Sequence, residues 1–331
     1  MKNILSKIVF LVIFLLIGVF IGKFILTDNQ PKDNFSKEVH ESFNYQFISP
    51  LLECNSNNDN ITLHPLKNSI KQIINQEINN KNITFASVYF RDLNNGPWFG
   101  INEKEYFSPA SLAKVPLLIT YLKKAQRDSS LLSQKIINPE NQEDGVSIQN
   151  IKPSETLLSN QEYTVEDLLK RMIIYSDNDS YNNLFKNIDN NEILQVYKDL
   201  NIDISKILEN SNGNIINVKD YASFFRILFN ASYLNQDMSE KALSLLSQVE
   251  YQKALVAGVP KNIKVAHKFG EREFLATGEV QLHDCGIVYL PKKPYLLCIM
   301  TRSSNLDKAV PSIKKISQET FQYINDSLNS K

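Results

Sequence analysis

At 331 residues the chain has room for one large domain or two modest ones, and 43% hydrophobic residues allow a sizeable core. Lys plus Arg and Asp plus Glu balance at 36 each, so bulk charge leaves no electrostatic footprint for nucleic acid, and no such partner is expected. Cys54, Cys285 and Cys298 allow at most one intramolecular disulfide, and sequence alone does not choose the pair. No C-x-x-C occurs, and His40, His64, His267 and His283 never fall at zinc-ligand spacing, so neither a metal nor another cofactor is expected.

The chain opens on "KIVFLVIFLLIGVFIGKFIL", apolar from Ile8 to Gly22, with Lys2 and Lys7 ahead of it and Lys23 within it. With those lysines at the bilayer surfaces the run crosses a membrane, and the leading positive charge places the N-terminus inside. The following "GKFILTDNQ" lacks the small residues of a signal-peptidase site, so residues 1–29 read as an uncleaved signal anchor. A cleaved, secreted form is the alternative. Either way the remainder works outside the cytoplasm. Residues 30–60 are polar and turn-rich, a tether within which the apolar "YQFISPLL" is expected to pack on the folded body.

Helical spacing follows from Ile61 to Ile78, through Ile70, Ile73 and Ile74. "ITFASVYFRD" reads as a strand, "LNNGP" as a turn and "WFGINEKEYF" as a second strand. From Ser111 to about Val249 the signals are helical. The clearest is "TVEDLLKRMII", with Thr164 as N-cap and Val165, Leu168, Leu169, Met172 and Ile173 on one stripe. Strand character returns at 263–268 and 275–282. A hairpin "CGIVYL-PKKP-YLLCIMT" follows, and then a helix from Leu306 to Leu328. Strands from both ends of the chain share one sheet only if the helical block, about 111–250, is an inserted lobe. The cleft between sheet and lobe is then the natural place for chemistry.

Within "SPASLAKVPLL", Ser111 and Lys114 stand three residues apart on one helical face. The apolar neighbours Leu112, Val115, Leu117, Leu118 and Ile119 bury that amine, which lowers its pKa and makes a neutral, proton-accepting lysine. A serine hydroxyl needs such a base to act as a nucleophile. By itself the pair reads better as two polar residues at a helix edge than as a catalytic couple. Two later stretches change the balance. "IIYSDNDSYNN" places Ser176, Asp177 and Asn178 where one helix ends and the next begins, and "VAHKFGERE" places Lys268 and Gly270 at a strand edge.

S-x-x-K, then S-D-N, then K-x-G, in this order and these settings, resembles the class A β-lactamase and penicillin-binding serine hydrolase superfamily, across about residues 61–328. The resemblance implies an α/β fold, an antiparallel five-stranded sheet flanked by N- and C-terminal helices with an inserted helical lobe. It implies a bacterial enzyme that takes β-lactams or D-Ala-D-Ala peptides, and the N-terminal anchor with an extracytoplasmic domain suits such an enzyme. Ser111 would attack the carbonyl and Lys114 would take its proton. Ser176 would relay a proton to the leaving nitrogen, and Asn178 would position the substrate amide. Lys268, at the head of the Gly270 motif, would attract the substrate carboxylate. The backbone N–H groups of Ser111 and Glu271 would form the oxyanion hole.

Two departures stand out. Phe269 occupies the position of the motif's hydroxyl residue, which leaves Lys268, with His267 and Arg272 as further positive charge, to hold a carboxylate. The E-x-x-L-N motif that carries the deacylating glutamate is absent between Asn178 and Tyr221. Glu209 is the one glutamate in the latter half of that segment; it is a candidate deacylation base, but a solvated loop glutamate is the better reading of it. Hydrolysis of β-lactams, a D,D-carboxypeptidase with slow deacylation, and a catalytically silent peptidoglycan- or partner-binding relative are the competing expectations. Phe269 favours the last; the intact Ser111, Lys114, Ser176 and Asn178 oppose it.

Overall fold

The computed structural model describes residues 37–40, 45–55, 63–94, 96–140, 149–209 and 213–329. The anchor expected at 1–29 lies outside the described residues, among which no helix is long and apolar enough to cross a membrane.

Two short strands, β1 (Lys37–His40) and β2 (Leu51–Asn55), pair near the N-terminus, and helix α1 (His64–Asn79) follows. Leu66, Ile70 and Ile74 recur every fourth residue and are all buried. Strands β3 (Phe85–Asp92) and β4 (Trp98–Ile101) form the first hairpin. The strand expected to run on to Phe107 stops instead at Asn102, whose φ of 50° lies in the left-handed region that asparagine tolerates. Its side-chain amide donates to the Ala86 carbonyl at 2.8 Å, and its own carbonyl accepts from the Ser87 hydroxyl at 2.7 Å. Tyr106–Phe107 (β5) therefore leaves the main sheet and pairs with β8 (Ile216–Asn217).

Between β5 and the closing strands come α2 (Lys114–Ala125), the paired strands β6 (Lys135–Ile137) and β7 (Glu162–Thr164), α3 (Val165–Ile174), α4 (Asn178–Lys186), α5 (Asn190–Asp199), α6 (Ser205–Leu208), α7 (Val218–Phe229) and α8 (Gln236–Leu246). The block read as uniformly helical thus holds two ladders of two or three residues each, too short for a period-2 signal. Thr164 caps α3 as expected, its hydroxyl accepting from the Asp167 N–H.

Strands β9 (Val265–Phe274), β10 (Glu279–Val288) and β11 (Tyr295–Ser303) complete a five-stranded antiparallel sheet in the order β4-β3-β11-β10-β9. This is the expected α/β architecture. Here two boundaries differ from the reading of the sequence. The segment after Lys268 continues as strand to Phe274, and the turn falls at 275–278, where Gly278 supplies φ +68° and Leu275 is 74% exposed. The remainder, 279–282, joins 285–288 in one strand, β10. Cys285 and Cys298, directly opposite across β10 and β11, form the disulfide.

Helix α9 (Leu306–Asn329) packs with α1 and also touches β10 and β11. Helix α7 approaches β3, β10 and β11 from the lobe. Strand β3 is buried almost throughout, so it lacks the alternation of a half-exposed strand.

Segment Tyr45–Pro50 packs on this body. Phe47 and Ile48 are buried, and the Phe47 ring meets Tyr289 edge-on at 5.5 Å. One carboxylate, Glu240, accepts the successive backbone N–H groups of Gln46, Phe47 and Ile48 at 2.9, 2.9 and 3.0 Å. Hydrogen bonds to a charged acceptor contribute about 1.5–3 kcal/mol each where they are shielded from water. Glu240→Ala is therefore expected to cost about 2 kcal/mol and to lower Tm by roughly 4–8 °C. Thermal unfolding checks this, and faster proteolysis within 45–50 should accompany it.

Candidate active site

The three motifs converge at one end of the cleft. Ser111 lies in a single 3-10 turn, Ala110–Ala113, and Ala110 before it has φ +46°. That conformation costs a non-glycine residue about 1–3 kcal/mol and persists only where its surroundings enforce it. The enforcement comes from β10. The Gln281 side-chain carbonyl accepts from the Ser108 N–H at 2.9 Å, and His283 Nε2 meets the Ser108 carbonyl at 3.0 Å. Burial lowers the His283 pKa to about 4, so the ring is neutral and donates from Nε2. Arg272 holds the Ser108 hydroxyl at 3.0 Å, and Tyr221 donates to the Leu112 carbonyl at 3.1 Å.

Lys114 is 2% exposed, and its Nζ lies 3.0 Å from Ser111 Oγ, 2.6 Å from the Ser176 carbonyl, 3.2 Å from Ser176 Oγ and 2.7 Å from Asn178 Oδ1. A neutral amine has two protons and one lone pair. Its two protons match the two shortest contacts, to the Ser176 carbonyl and Asn178 Oδ1. The lone pair is then left for the Ser111 hydroxyl. Burial lowers the Lys114 pKa to about 7, against an opposing pull from Asp177, so this neutral form exists at physiological pH.

Ser176 sits in the loop between α3 and α4 at φ +57°, fully buried. Asp177 caps α4 and braces that loop: its Oδ2 accepts from the Ser180 N–H at 2.7 Å and the Ser180 hydroxyl at 2.5 Å. Asn178 opens α4, and its amide donates to Gln149 at 3.0 Å. Gln149 in turn reaches the Ser176 carbonyl at 3.3 Å. Nothing in the sequence singles out Gln149, an isolated polar residue in a polar loop.

Lys268 completes the chain of contacts. Its Nζ donates to Ser176 Oγ and to the Phe269 carbonyl, both at 2.9 Å, and lies 4.1 Å from the centre of the Phe269 ring. Burial, with Lys114 nearby, holds its pKa well below the lysine range. Gly270 sits where β9 presses on the Ser111 turn: a Cβ there would lie 3.0 Å from the Leu112 nitrogen and the Pro109 carbonyl oxygen. Glu271 follows, its carboxylate accepting from the Ile151 N–H at 2.7 Å and the Asn150 amide at 3.1 Å.

A cavity of about 660 Å³ opens over this group. Ser111, Lys114, Asn178, Phe269, Glu271 and Arg272 line it; Lys268, with no exposed surface, and His267 do not. His267 is instead buried with Nδ1 2.7 Å from Asp284, which also takes the Leu255 N–H at 3.0 Å. Phe269 is 3% exposed and packs against Tyr251, the rings tilted by 31° with centres 4.2 Å apart. Of the positive charges expected beside Phe269, Arg272 is the one on the wall. Glu209 ends α6, pairs with Lys206 at 3.6 Å and is not part of the cavity lining.

A serine and a buried amine at the floor of a cleft between an antiparallel sheet and a helical lobe define a serine hydrolase of β-lactamase type. The chain belongs to the β-lactamase enzyme family, whose model matches residues 65–324. None of the curated proteins is significantly similar in sequence. Among solved structures, PBP-A is similar at TM-score 0.65 and 19% identity, over 80% of this chain and 97% of that one. TLA-3 extended-spectrum β-lactamase is similar at 0.67 and 19%, over 79% and 98%. A β-lactamase from Chitinophaga pinensis gives 0.66 and 18%, over 77% and 99%. At such identities the likeness is one of fold.

Proposed function

We propose that this enzyme is acylated at Ser111 by β-lactams and releases the acyl group slowly, in the manner of a penicillin-binding D,D-peptidase. The observation that carries the reading is the continuous run of contacts from Ser111 Oγ through Lys114 Nζ and Ser176 Oγ to Lys268 Nζ, at 3.0, 3.2 and 2.9 Å. As Ser111 Oγ bonds to the carbonyl carbon, its proton passes to the Lys114 lone pair. When the carbon–nitrogen bond breaks, the leaving nitrogen takes a proton from Ser176 Oγ, which recovers one from Lys114, the proton Lys114 took from Ser111. The N–H groups of Ser111 and Glu271 would hold the oxyanion, and Asn178 the substrate amide. Arg272, on the wall where Lys268 is not, is the cation offered to a substrate carboxylate.

Slow release follows from the composition of the wall. Among the described residues lining the cavity the one carboxylate is Glu271, and both its oxygens already accept hydrogen bonds from segment 150–151. Among the described residues of the lining, no carboxylate without hydrogen-bond partners stands beside Lys114 to activate water. A stem peptide ending in D-Ala-D-Ala presents the same carbonyl and carboxylate and is the physiological substrate proposed. The apolar N-terminal run and the polar stretch after it support a membrane-tethered enzyme acting outside the cytoplasm.

The test is the lifetime of the adduct. The full chain, incubated with a penicillin and followed by intact mass, should keep one penicilloyl group for tens of minutes with negligible nitrocefin turnover. Rapid turnover would replace the peptidase reading with a class A-like β-lactamase. Absence of any adduct would remove both.

A further inference from the structure

Three consecutive residues, Gln149, Asn150 and Ile151, join the two walls of the cleft. Gln149 is bonded to the lobe: its Oε1 accepts from Asn178 Nδ2 at 3.0 Å, and its Nε2 donates to the Ser176 carbonyl at 3.3 Å. The next two residues are bonded to the sheet. The Ile151 N–H and the Asn150 amide donate to the Glu271 carboxylate at 2.7 and 3.1 Å, and the same amide lies 3.5 Å from the Glu273 carboxylate. Both glutamates belong to β9, the edge strand of the five-stranded sheet. Gln149, Asn178 and Glu271 line the cavity that holds Ser111, and Asn150 is exposed, so the segment is a strap on the solvent side of that cavity. Its amides fix one another's direction. Lys114 Nζ donates to Asn178 Oδ1 at 2.7 Å, which turns Asn178 Nδ2 toward Gln149. Gln149 then presents its carbonyl to Asn178 and keeps its NH2 for the Ser176 carbonyl. Among the described residues Gln149 is the one side chain bonded to Asn178 Nδ2.

We propose that Gln149 is a specificity-determining residue: its side-chain carbonyl stands where the amide carbonyl of an acyl donor would accept from Asn178, and the strap must lift before such a donor engages. Donors of this class carry an acylamino group next to the carbonyl that Ser111 attacks, as a peptide does. A donor with a free amine at that place makes no demand on Asn178 Nδ2 and enters with the strap in position. The exchange replaces one neutral hydrogen bond by an equivalent one, so the strap slows amide-bearing donors without excluding them. The bonds that break are part-exposed, and water takes over their donors and acceptors without any rearrangement of the core. The role of the strap rests on Ser111 being the nucleophile and Asn178 the partner of the substrate amide, and it adds what guards that partner.

The experiment compares two donors on the full-length protein in lipid nanodiscs, with acylation of Ser111 followed by intact mass. Benzylpenicillin carries an amide beside the reacting ring, and 6-aminopenicillanic acid carries a free amine there. Gln149→Ala is expected to raise the second-order acylation rate of benzylpenicillin roughly threefold to tenfold, the worth of one competing hydrogen bond, and to leave that of 6-aminopenicillanic acid within about twofold. Gln149→Glu keeps the acceptor and strengthens it with charge, so the benzylpenicillin-to-amine ratio should fall roughly threefold or more below the parent's. The ratio cancels any effect of the added charge on Lys114 or on the carboxylate that both donors share. A ratio that fails to rise in Gln149→Ala, whether both donors slow alike or benzylpenicillin slows alone, overturns the role of Gln149 and leaves the nucleophile in place. A ratio that fails to fall in Gln149→Glu equally overturns it. No Ser111 adduct with either donor in the parent removes the nucleophile, and the guarding role with it.

Discussion

Ser111→Ala is expected to lose the penicillin adduct entirely while folding as the parent does. Among the described residues the hydroxyl has one hydrogen-bond partner, Lys114 Nζ, and Lys114 keeps the Ser176 carbonyl and Asn178 Oδ1 as acceptors once it is gone. Ser111 is itself only partly buried, so the truncation leaves neither a large cavity nor an unpaired buried group. Intact mass after incubation with penicillin measures the adduct, and thermal unfolding checks the fold. A residual adduct of equal yield would move the nucleophile to another residue and overturn the reading of the cleft.

Lys114→Met should slow acylation roughly 10²- to 10⁴-fold, the usual worth of a positioned general base. The pH profile identifies the base more specifically. The neutral amine is the acting form, so acylation is present above its pKa and falls about tenfold per unit as pH drops below about 7. In Lys114→Met that limb should disappear. Stability carries a matching sign. The unfolded chain binds the Lys114 proton up to the ordinary lysine value of 10.5, whereas the folded one releases it near 7. Between those values the unfolded state therefore holds more protons, and stability rises with pH. Acylation rates measured from pH 5 to 9 decide the matter: a flat parent profile would exclude Lys114 as the base.

Much of this was legible in the sequence because it is local. The apolar stripe of α1, the N-cap of α3 and the β-branched run of β3 are set by nearest neighbours along the chain. The pairing of Ser111 with Lys114 follows from helical spacing, and burial of the amine from its apolar flanks. The ordered motifs pointed to Ser176, Asn178 and Lys268, which the structure brings within 3.2 Å of one another's polar atoms or of Lys114. Strand ends were less legible. The break at Asn102 depends on Ala86 and Ser87 across the hairpin, and the extension of β9 to Phe274 depends on the ladder offered by β10.

The sequence by itself determined which side chains could carry acyl transfer and in what order they enter the fold, since spacing and apolar context are properties of the chain. Only the tertiary structure decided which of them meet the substrate. Lys268 is closed off by Phe269, which Tyr251 pins from a distant segment, so Arg272 becomes the cation on the wall. Glu209 is turned to Lys206, and Glu271 is tied to segment 150–151. The strap from Gln149 to Ile151 arises only because Asn178 and Glu271, far apart in the chain, flank one cavity. Exposure and convergence depend on contacts between residues far apart in the chain, and no local pattern encodes them.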